Sequence, residues 1–345
     1  MISLPPALQA AVEAALRAVP GSQWKSAARN LSTRYRTGRE GGEGPLARGA
    51  PAALGYAGLI LPAAYAQLYG AMAATAARIP AWRPRTLLDL GSGPGTALWA
   101  AAACWPSLQQ MTAWEREPAF LDLGRRLAQA SPDRAVAGAQ WERVVLGAGP
   151  LPGTERYDLV VLGHVLNELD PAARQAVVEA AWKCCRGVLL LVEPGTPAGF
   201  AVIRALRDAL LPRGARTIAP CAHDRPCPLL GDWCHFPQRL DRPAFQRRVK
   251  EGTAGWEDAK FSYAALARFG PAAPIWGRLI HQPQVHKGTV ELIVSSVAGI
   301  VRPEVPKRDR PAYRAAADHR WGDALAAPPP GAIVPPPPPG EALPE

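Results

Sequence analysis

The sequence predicts an α/β protein built on a doubly wound, mostly parallel sheet. Short apolar runs of strand length alternate with helix-length segments from residue 86 to residue 211. A glycine-rich turn follows the first of these runs, and an acidic residue, Glu115, closes the second. In such sheets the carboxyl ends of the parallel strands share one edge, so we expect the functional site at that edge.

Residues 1–80 are predicted to form a helical, basic N-terminal region. Pro5 and Pro6 precede apolar residues at helical spacing, which indicates an amphipathic helix opened by proline. Residues 55–79 predict another helix, broken near Pro62. A basic, glycine-rich segment lies between the two, and its arginines are Arg29, Arg34, Arg36 and Arg39.

Residues 81–211 carry the predicted sheet. Helices are expected over 96–104, from Pro118, from the Asp170–Pro171 pair through Lys183, and over 197–211. The predicted strands are TLLDL (86–90), QMTAWE (110–115), WERVVL (141–146), YDLVVL (157–162) and GVLLLVE (187–193).

The pattern changes after residue 211. Residues 212–262 are rich in Cys, His, Pro, Trp and Arg and are interpreted as a cysteine-rich, metal-binding insertion. Residues 263–326 hold two strand-like runs, 275–282 and 289–297, followed by a basic helix over 309–325. Residues 327–345 form a proline-rich tail, expected to be disordered or polyproline II.

Composition excludes a globally disordered chain, because 48% of the 345 residues are hydrophobic and only 20% are charged. The net charge of +10 is uneven. Residues 51–200 carry 12 basic and 12 acidic side chains, whereas 1–50 carry 7 and 3, and 201–345 carry 20 and 14. Basic flanks around a neutral core favour a polyanionic partner, and an ordinary solvated surface is the alternative.

No secretory signal or membrane span is predicted. The first residues lack a basic start and a continuous apolar core. The uncharged stretch 49–77 is mostly Ala and Gly. The free energy gained by its transfer from water into a membrane is therefore small, and packed helices are expected there instead of a membrane span. Six cysteines are too few for a disulfide scaffold in a chain of this length. A reducing, cytoplasmic location is therefore expected.

The glycine turn has the residues Asp89, Gly91, Gly93 and Gly95. A dinucleotide fingerprint would need glycine where Thr96 stands, so a cofactor without phosphates suits this turn better. The pattern resembles motif I of the class I S-adenosylmethionine-dependent methyltransferases. That resemblance implies that the glycines approach the methionine part of the cofactor and that the aspartate helps to hold its amino group.

Glu115 closes the second strand, where an acidic side chain can accept hydrogen bonds from both ribose hydroxyls of a nucleoside cofactor. The third strand ends in Leu146, Gly147 and Ala148 and offers no polar side chain for the adenine amino group. A purely structural glycine turn and a nicotinamide enzyme are the alternatives to this cofactor site.

His164, Asn167 and Glu168 follow the fourth predicted strand and are weak catalytic candidates, since this position faces the methyl acceptor. Asn167 and Glu168 could instead simply start the next helix, and His164 could be a satisfied polar residue. The Asn/Asp-Pro-Pro-aromatic motif of base-amino methyltransferases is missing, and no Pro-Cys or Thr-Cys nucleophile follows the fourth or fifth strand.

Cys221, Cys227 and Cys234 lie within fourteen residues, close to His223 and His235. Three thiolates in a proline-braced segment are typical of a zinc site or an iron–sulfur cluster. Their wide spacing favours the cluster over zinc, and buried, inert cysteines remain the alternative.

Several ordered blocks resemble one family. They are SAARNLSTRYR, LLDLGSGPGTALWAA, DLVVLGHVLNEL, LLLVEPGTPAGF, PCAHDRPCPL, DWCHF, EDAKFSYAALAR and RWGD. Together they span about residues 20 to 325 and are similar to bacterial relatives of the mitochondrial small-ribosomal-subunit methyltransferase-like family. The resemblance implies a methyltransferase fold that acts on, or binds, small-subunit ribosomal RNA.

The resemblance also implies a four-cysteine 4Fe–4S cluster, with Cys221, Cys227 and Cys234 as three ligands. The fourth family cysteine falls in the late strand, and its equivalent in this chain is Ser295. Ser295, a nearby His and a non-protein ligand are the alternatives for the fourth ligand, and absence of the cluster is a further alternative. Two hypotheses follow: an S-adenosylmethionine-dependent ribosomal RNA methyltransferase, and an assembly factor that keeps the fold without turnover. A small-molecule methyltransferase is less favoured because of the basic flanks and the cysteine segment.

Overall fold

A computed structural model of the protein describes residues 1–37, 48–153, 155–229, 231–250 and 254–329, with the side chains of 32–37 and 250 left out. Arg39 and most of the proline-rich tail lie outside the described residues, as do the side chains of Arg34 and Arg36. The predictions made for these residues therefore stay predictions.

The central sheet confirms the doubly wound fold. Its order is β3-β2-β1-β4-β5-β8-β6, and β7 pairs with another part of β8. Strands β1 to β5 are parallel, whereas β8 runs antiparallel to β5, β6 and β7. This is the class I methyltransferase form of the Rossmann-like sheet. The strands are β1 (Thr86–Leu90), β2 (Gln110–Glu115), β3 (Gln140–Arg143), β4 (Tyr157–Gly163), β5 (Cys185–Pro194), β6 (Arg216–Ala219), β7 (Phe236–Asp241) and β8 (Trp256–Ala267).

The last helix of the N-terminal region packs on one face of this sheet, and the earlier helices pack against it and against one another. These helices are α1 (Pro6–Arg17), α2 (Gly21–Thr37), α3 (Gly49–Leu59) and α4 (Leu61–Arg78). The break predicted near Pro62 is present, since α3 and α4 meet at Ile60 with a bend of 58°. The described part of the basic segment, for which no regular element was predicted, lies in α2. No single helix among the described residues is long and apolar enough to cross a membrane, and only the bent pair α3–α4 passes that test jointly.

Helices between the strands cover both faces, as the alternation predicts. Three begin at side-chain caps, which are Asp133, Asp170 and Thr196; Asp170, for example, accepts a hydrogen bond from the N–H of Ala173. The helices are α5 (Thr96–Cys104), α6 (Pro118–Gln129), α7 (Arg134–Ala137), α8 (Pro171–Cys184) and α9 (Pro197–Leu210). The third strand ends at Arg143, three residues earlier than predicted.

The predicted insertion 212–262 contributes directly to the central sheet. Strands β6, β7 and the first half of β8 come from it, together with α10 (Ala244–Lys250). The stretch between β6 and β7, which contains the three cysteines, has no regular element in its described residues.

The C-terminal part forms two small antiparallel sheets beside the cysteine segment, with the orders β13-β12-β9-β15 and β10-β11-β14. The predicted basic helix ends at Asp318, not at residue 325. The elements are β9 (Gly277–Leu279), β10 (Gln284–Val285), β11 (Thr289–Glu291), β12 (Val294–Ser296), β13 (Gly299–Val301), β14 (Glu304–Pro306), α11 (Arg310–Asp318) and β15 (Ala324–Leu325).

Candidate functional site

The glycine turn connects β1 to α5 at the carboxyl edge of the sheet. Gly91, Gly93 and Gly95 have φ values of +74°, +54° and +78°, a left-handed region that favours glycine. A Cβ on Gly91 would lie 2.5 Å from Cγ2 of Val165. A Cβ on Gly95 would lie 2.5 Å from Cη2 of Trp141. The first and last glycines are thus required by the packing of the protein itself.

Gly93 differs from the other two glycines because a Cβ there would meet only Cδ1 of Phe120, at 3.7 Å. Its backbone N–H donates a hydrogen bond to Oε2 of Glu115 at 2.9 Å. Oε1 of Glu115 accepts from the N–H groups of Arg116 at 2.7 Å and Glu117 at 2.9 Å. A carboxylate has about four acceptor positions, so one is left for a ribose hydroxyl unless a backbone donor moves.

Asp89 lies at the base of the turn, on β1, and is 2% exposed. Its Oδ2 atom is buried and has no hydrogen-bond partner. Burial, and secondarily the nearby charge of Glu115, raises the pKa of Asp89 to about 8. A buried carboxyl group with an unused oxygen fits a cationic group such as the amino group of S-adenosylmethionine.

Carboxyl groups from several elements gather around the turn. Burial also raises the pKa of Glu115, despite its three backbone hydrogen bonds. Tyr56 of α3 contacts Phe120 edge-on, with ring centroids 5.5 Å apart. Burial, then the charges of Glu168, Asp89 and Glu115, raises the pKa of the Tyr56 hydroxyl. These carboxyl groups around the glycine turn favour a cationic cofactor and disfavour a pyrophosphate. The sequence analysis missed Tyr56, which lies in a stretch without charged residues.

The catalytic candidates follow β4, beside the turn. His164 has φ +63°, and its Nε2 atom is buried without a partner. Burial lowers the pKa of His164 to about 4, so its imidazole is neutral at pH 7 and can accept a proton. Asn167 and Glu168 belong to a short 3₁₀ turn, Leu166–Glu168.

Glu193, at the end of β5, holds this turn. Its Oε1 accepts a hydrogen bond from the N–H of Leu166 at 2.8 Å, and its Oε2 accepts one from Nδ2 of Asn167 at 2.5 Å. Glu193 is fully buried, and burial raises its pKa to about 8. The amide of Asn167 is therefore engaged by the protein. The position of Glu193 at a strand end, like that of Glu115, is the sequence signal that could have shown its role.

Cys221, Cys227 and Cys234 line one cavity between α9 and the C-terminal sheets, together with Ser295 of β12. All three are free thiols. Burial raises the pKa of Cys221 and, more strongly, that of Cys234. The position matched to the fourth family cysteine thus faces the same cavity as the other three.

The two histidines of the segment have other contacts. Nδ1 of His223 accepts a hydrogen bond from the N–H of Arg225, and the ring of His235 stacks on Trp233. Among the described residues, no group of three or more His, Cys, Asp or Glu side chains is arranged to hold a single metal ion. The donor set does not fit zinc as the thiols are placed. Three thiols that line one cavity without converging on a single point are compatible with a polynuclear centre, in which each thiolate binds a different metal atom.

Comparison with known proteins gives a family match over residues 50–326, to the model described as mitochondrial small ribosomal subunit Rsm22. The human mitochondrial ribosome assembly protein METTL17 is 31% identical over 268 residues, which cover 72% of this chain and 57% of that protein. The Schizosaccharomyces pombe mitochondrial Rsm22-cox11 tandem protein 2 is 24% identical, over 79% of this chain and 43% of that protein. The chain thus spans about half the length of these curated relatives.

Among solved structures, magnesium protoporphyrin IX methyltransferase from Synechocystis matches with a TM-score of 0.39 and 11% identity, over 70% of this chain and 93% of that one. Precorrin-6y C5,15-methyltransferase from Geobacter metallireducens matches with a TM-score of 0.37 and 14% identity, over 57% and 85%.

Proposed function

The chain belongs to the family described as mitochondrial small ribosomal subunit Rsm22, and from this premise we propose that it is an S-adenosylmethionine-dependent methyltransferase-like protein of small ribosomal subunit assembly. One relative is named as a ribosome assembly protein. The observation that carries the cofactor assignment is the unpartnered, buried Oδ2 of Asp89 beside the glycine turn.

In this proposal Asp89 holds the amino group of the cofactor, and Glu115 accepts a hydrogen bond from its ribose. Gly93 leaves open space over the turn, so the backbone can approach the methionine part. When bound, S-adenosylmethionine supplies an activated methyl group on its sulfonium sulfur. The clustered carboxyl groups stabilise its positive charges.

His164 is the residue best placed to orient an acceptor, because its Nε2 is buried without a partner and its imidazole, with a pKa lowered to about 4, is neutral at pH 7 and free to form a hydrogen bond. The same lowered pKa makes it a weak general base. Glu193 positions the loop that would face the acceptor, through Leu166 and Asn167. Ribosomal RNA is the proposed acceptor or ligand, since both basic flanks lie outside the neutral core.

The test incubates the purified protein with labelled S-adenosylmethionine and immature small ribosomal subunits, reading methyl transfer and co-sedimentation together. Transfer with co-sedimentation supports the enzyme. The absence of both methyl transfer and co-sedimentation, at low salt and with the cofactor bound, would reject the proposed function.

A non-catalytic assembly factor is the second candidate. The engagement of the Asn167 amide by Glu193 favours it, because one N–H of that amide is used to hold the loop and not to bind a substrate. Co-sedimentation that depends on the cofactor but gives no methyl transfer would select this function over the enzyme.

We also propose an iron–sulfur centre, 4Fe–4S in type, held by Cys221, Cys227 and Cys234 in a reducing, cytoplasmic setting. Its support is the convergence of three free thiols and Ser295 on one cavity. Anaerobically purified protein should contain iron and sulfide and lose both in Cys227→Ser. A preparation without iron and sulfide would reject the centre.

A further inference from the structure

Two buried arginines brace the cysteine segment. Arg207 of α9 is 3% exposed and donates hydrogen bonds to the carbonyls of His223 and Arg225. Arg278 of β9 is 4% exposed and donates from Nε to the carbonyl of Pro220 at 2.9 Å. Both guanidinium groups are therefore fixed beside the residues that surround Cys221.

Each guanidinium keeps one buried N–H group without a hydrogen-bond partner. These groups are Nε of Arg207 and Nη2 of Arg278. Buried donors are normally paired, and an unpaired one on a charged group is costly. Arg207 lines the cysteine cavity, and Arg278 is hydrogen-bonded to Pro220, which also lines it. Two unpaired donors next to one cavity indicate that a ligand with acceptor atoms belongs there.

The charge balance points to an anion. Arg207 has one carboxylate partner, Asp208, but Arg278 forms no ion pair among the described residues. Arg78, which is also buried, adds a like charge near Arg278. A buried cation without a counter-charge is strongly unfavourable. The thiols of Cys221, Cys227 and Cys234 line the same cavity and are the groups there that would carry the negative charge of a bound metal centre.

The strand register relates Arg278 to Ser295, the residue at the position of the fourth expected ligand. Arg278 on β9 is directly opposite Ser295 on β12 in an antiparallel pair. Side chains opposite each other in such a pair project from the same face of the sheet. Ser295 lines the cysteine cavity and is 9% exposed, so Arg278 lies beside a residue of the cavity wall.

We propose that Arg207 and Arg278 are the charge partners of an anionic, thiolate-bound iron–sulfur centre in this cavity, with Ser295 at its fourth corner. This inference rests on the centre proposed above. The unpaired N–H groups donate to sulfur atoms of the centre, and the two positive charges stabilise its reduced, more negative state. Both arginines are positioning residues, since the thiolates alone bind the metal.

The test uses the full chain, purified without oxygen, and measures the midpoint potential by electron paramagnetic resonance during a redox titration. Arg278→Met and Arg207→Met each remove one charge and should shift the potential to more negative values. Arg278→Lys and Arg207→Lys keep the charge and should stay near the wild-type potential. The two arginines lie on different elements. If the variants of one arginine do not fold, the Met and Lys variants of the other are sufficient for the test.

Ser295→Cys is an independent measurement, with iron retention in air as its readout. A fourth thiolate should slow the loss of iron severalfold, and Ser296→Cys, one residue along on the opposite face of the strand, should not. Wild-type protein with iron and sulfide, but unchanged potentials in both Met variants, would overturn the inference and leave the centre standing. Wild-type protein without iron would overturn both.

Discussion

The carboxylate of Glu115 accepts a hydrogen bond from the backbone N–H of Gly93 at 2.9 Å, which joins the end of β2 to the glycine turn after β1. The two parts of the predicted cofactor site are thus held together before any ligand binds. A pre-formed site lowers the ordering cost of binding. It also means that Glu115 has both a structural and a binding role.

Glu115→Ala should weaken S-adenosylmethionine binding about ten- to a hundredfold, or roughly 1.5–3 kcal/mol, because a buried ribose hydroxyl loses its acceptor and the turn loses its anchor. Isothermal titration calorimetry measures the change. Glu142→Ala, an exposed glutamate on the neighbouring strand β3, is the matched control and should leave the affinity unchanged. Equal affinities for Glu115→Ala and wild type would contradict the assigned role.

Cofactor affinity should rise with pH between about 6 and 7.5, through Asp89. Because the pKa of Asp89 is about 8 in the free protein, this carboxyl group is mostly protonated at pH 6, and a cation must displace its proton. Calorimetry at pH 6.5 in buffers of different ionisation enthalpy should show release of about one proton per cofactor. Asp89→Asn should bind more weakly, with no proton release from this position. Binding without proton release in the wild type would refute the pairing.

The fold was largely predictable from the sequence, because the central parallel strands β1, β4 and β5 contain apolar runs bounded by turns. The strands β6, β7 and β8 were not predicted. The second half of β8 is alanine-rich, a composition with little strand propensity that is stabilised here by burial between β5 and β6.

The candidate site was only partly predictable. Local spacing indicated the glycine turn and the cysteine segment. The pairings of Arg278 with Ser295 and of Glu193 with Asn167 join distant parts of the chain, and they depend on strand register and on a loop conformation. Neither leaves a local pattern in the sequence.

Glu193→Gln should flatten the dependence of stability on pH. The pKa of Glu193 is about 8 in the folded protein, above its ordinary value of 4.5. The stabilising contribution of its protonated form is therefore fully present below about pH 4.5 and is lost as the pH rises through 8. Urea denaturation of the wild type at pH 5 and pH 8 should show a loss on the order of 3 kcal/mol, to which Asp89 adds in the same direction. The Glu193→Gln variant should lose less of its free energy of unfolding between these two pH values. An identical pH dependence in the variant and the wild type would rule out a contribution from Glu193.

Gly95→Ala should destabilise the fold by about 2–4 kcal/mol, because a Cβ would combine strain at positive φ with a clash against Trp141. Gly153→Ala is a close control, since Gly153 has a similar φ of +80° but no atom within 4 Å of the added Cβ. That variant should lose only about 1 kcal/mol. Chemical denaturation separates the two, and similar losses would show that Trp141 contributes nothing at this position.

Charge reversal in the basic N-terminal segment should weaken binding to ribosomal RNA. The double variant Arg34→Glu and Arg36→Glu removes two positive charges from a flank that carries 7 basic and 3 acidic residues. Each phosphate contact contributes about 0.7–0.9 to the slope of log affinity against log salt, so loss of two contacts should reduce the slope by about 1.4–1.8. The matched control reverses Arg125 and Arg126, two exposed arginines of α6 in the neutral core. Filter binding between roughly 50 and 200 mM salt measures the RNA affinity of both double variants, and their affinity for the cofactor shows whether they are folded.

A wild-type affinity for RNA that does not change with salt would argue against a nucleic acid partner. Equal losses of RNA affinity in the two double variants would place the contact outside this segment.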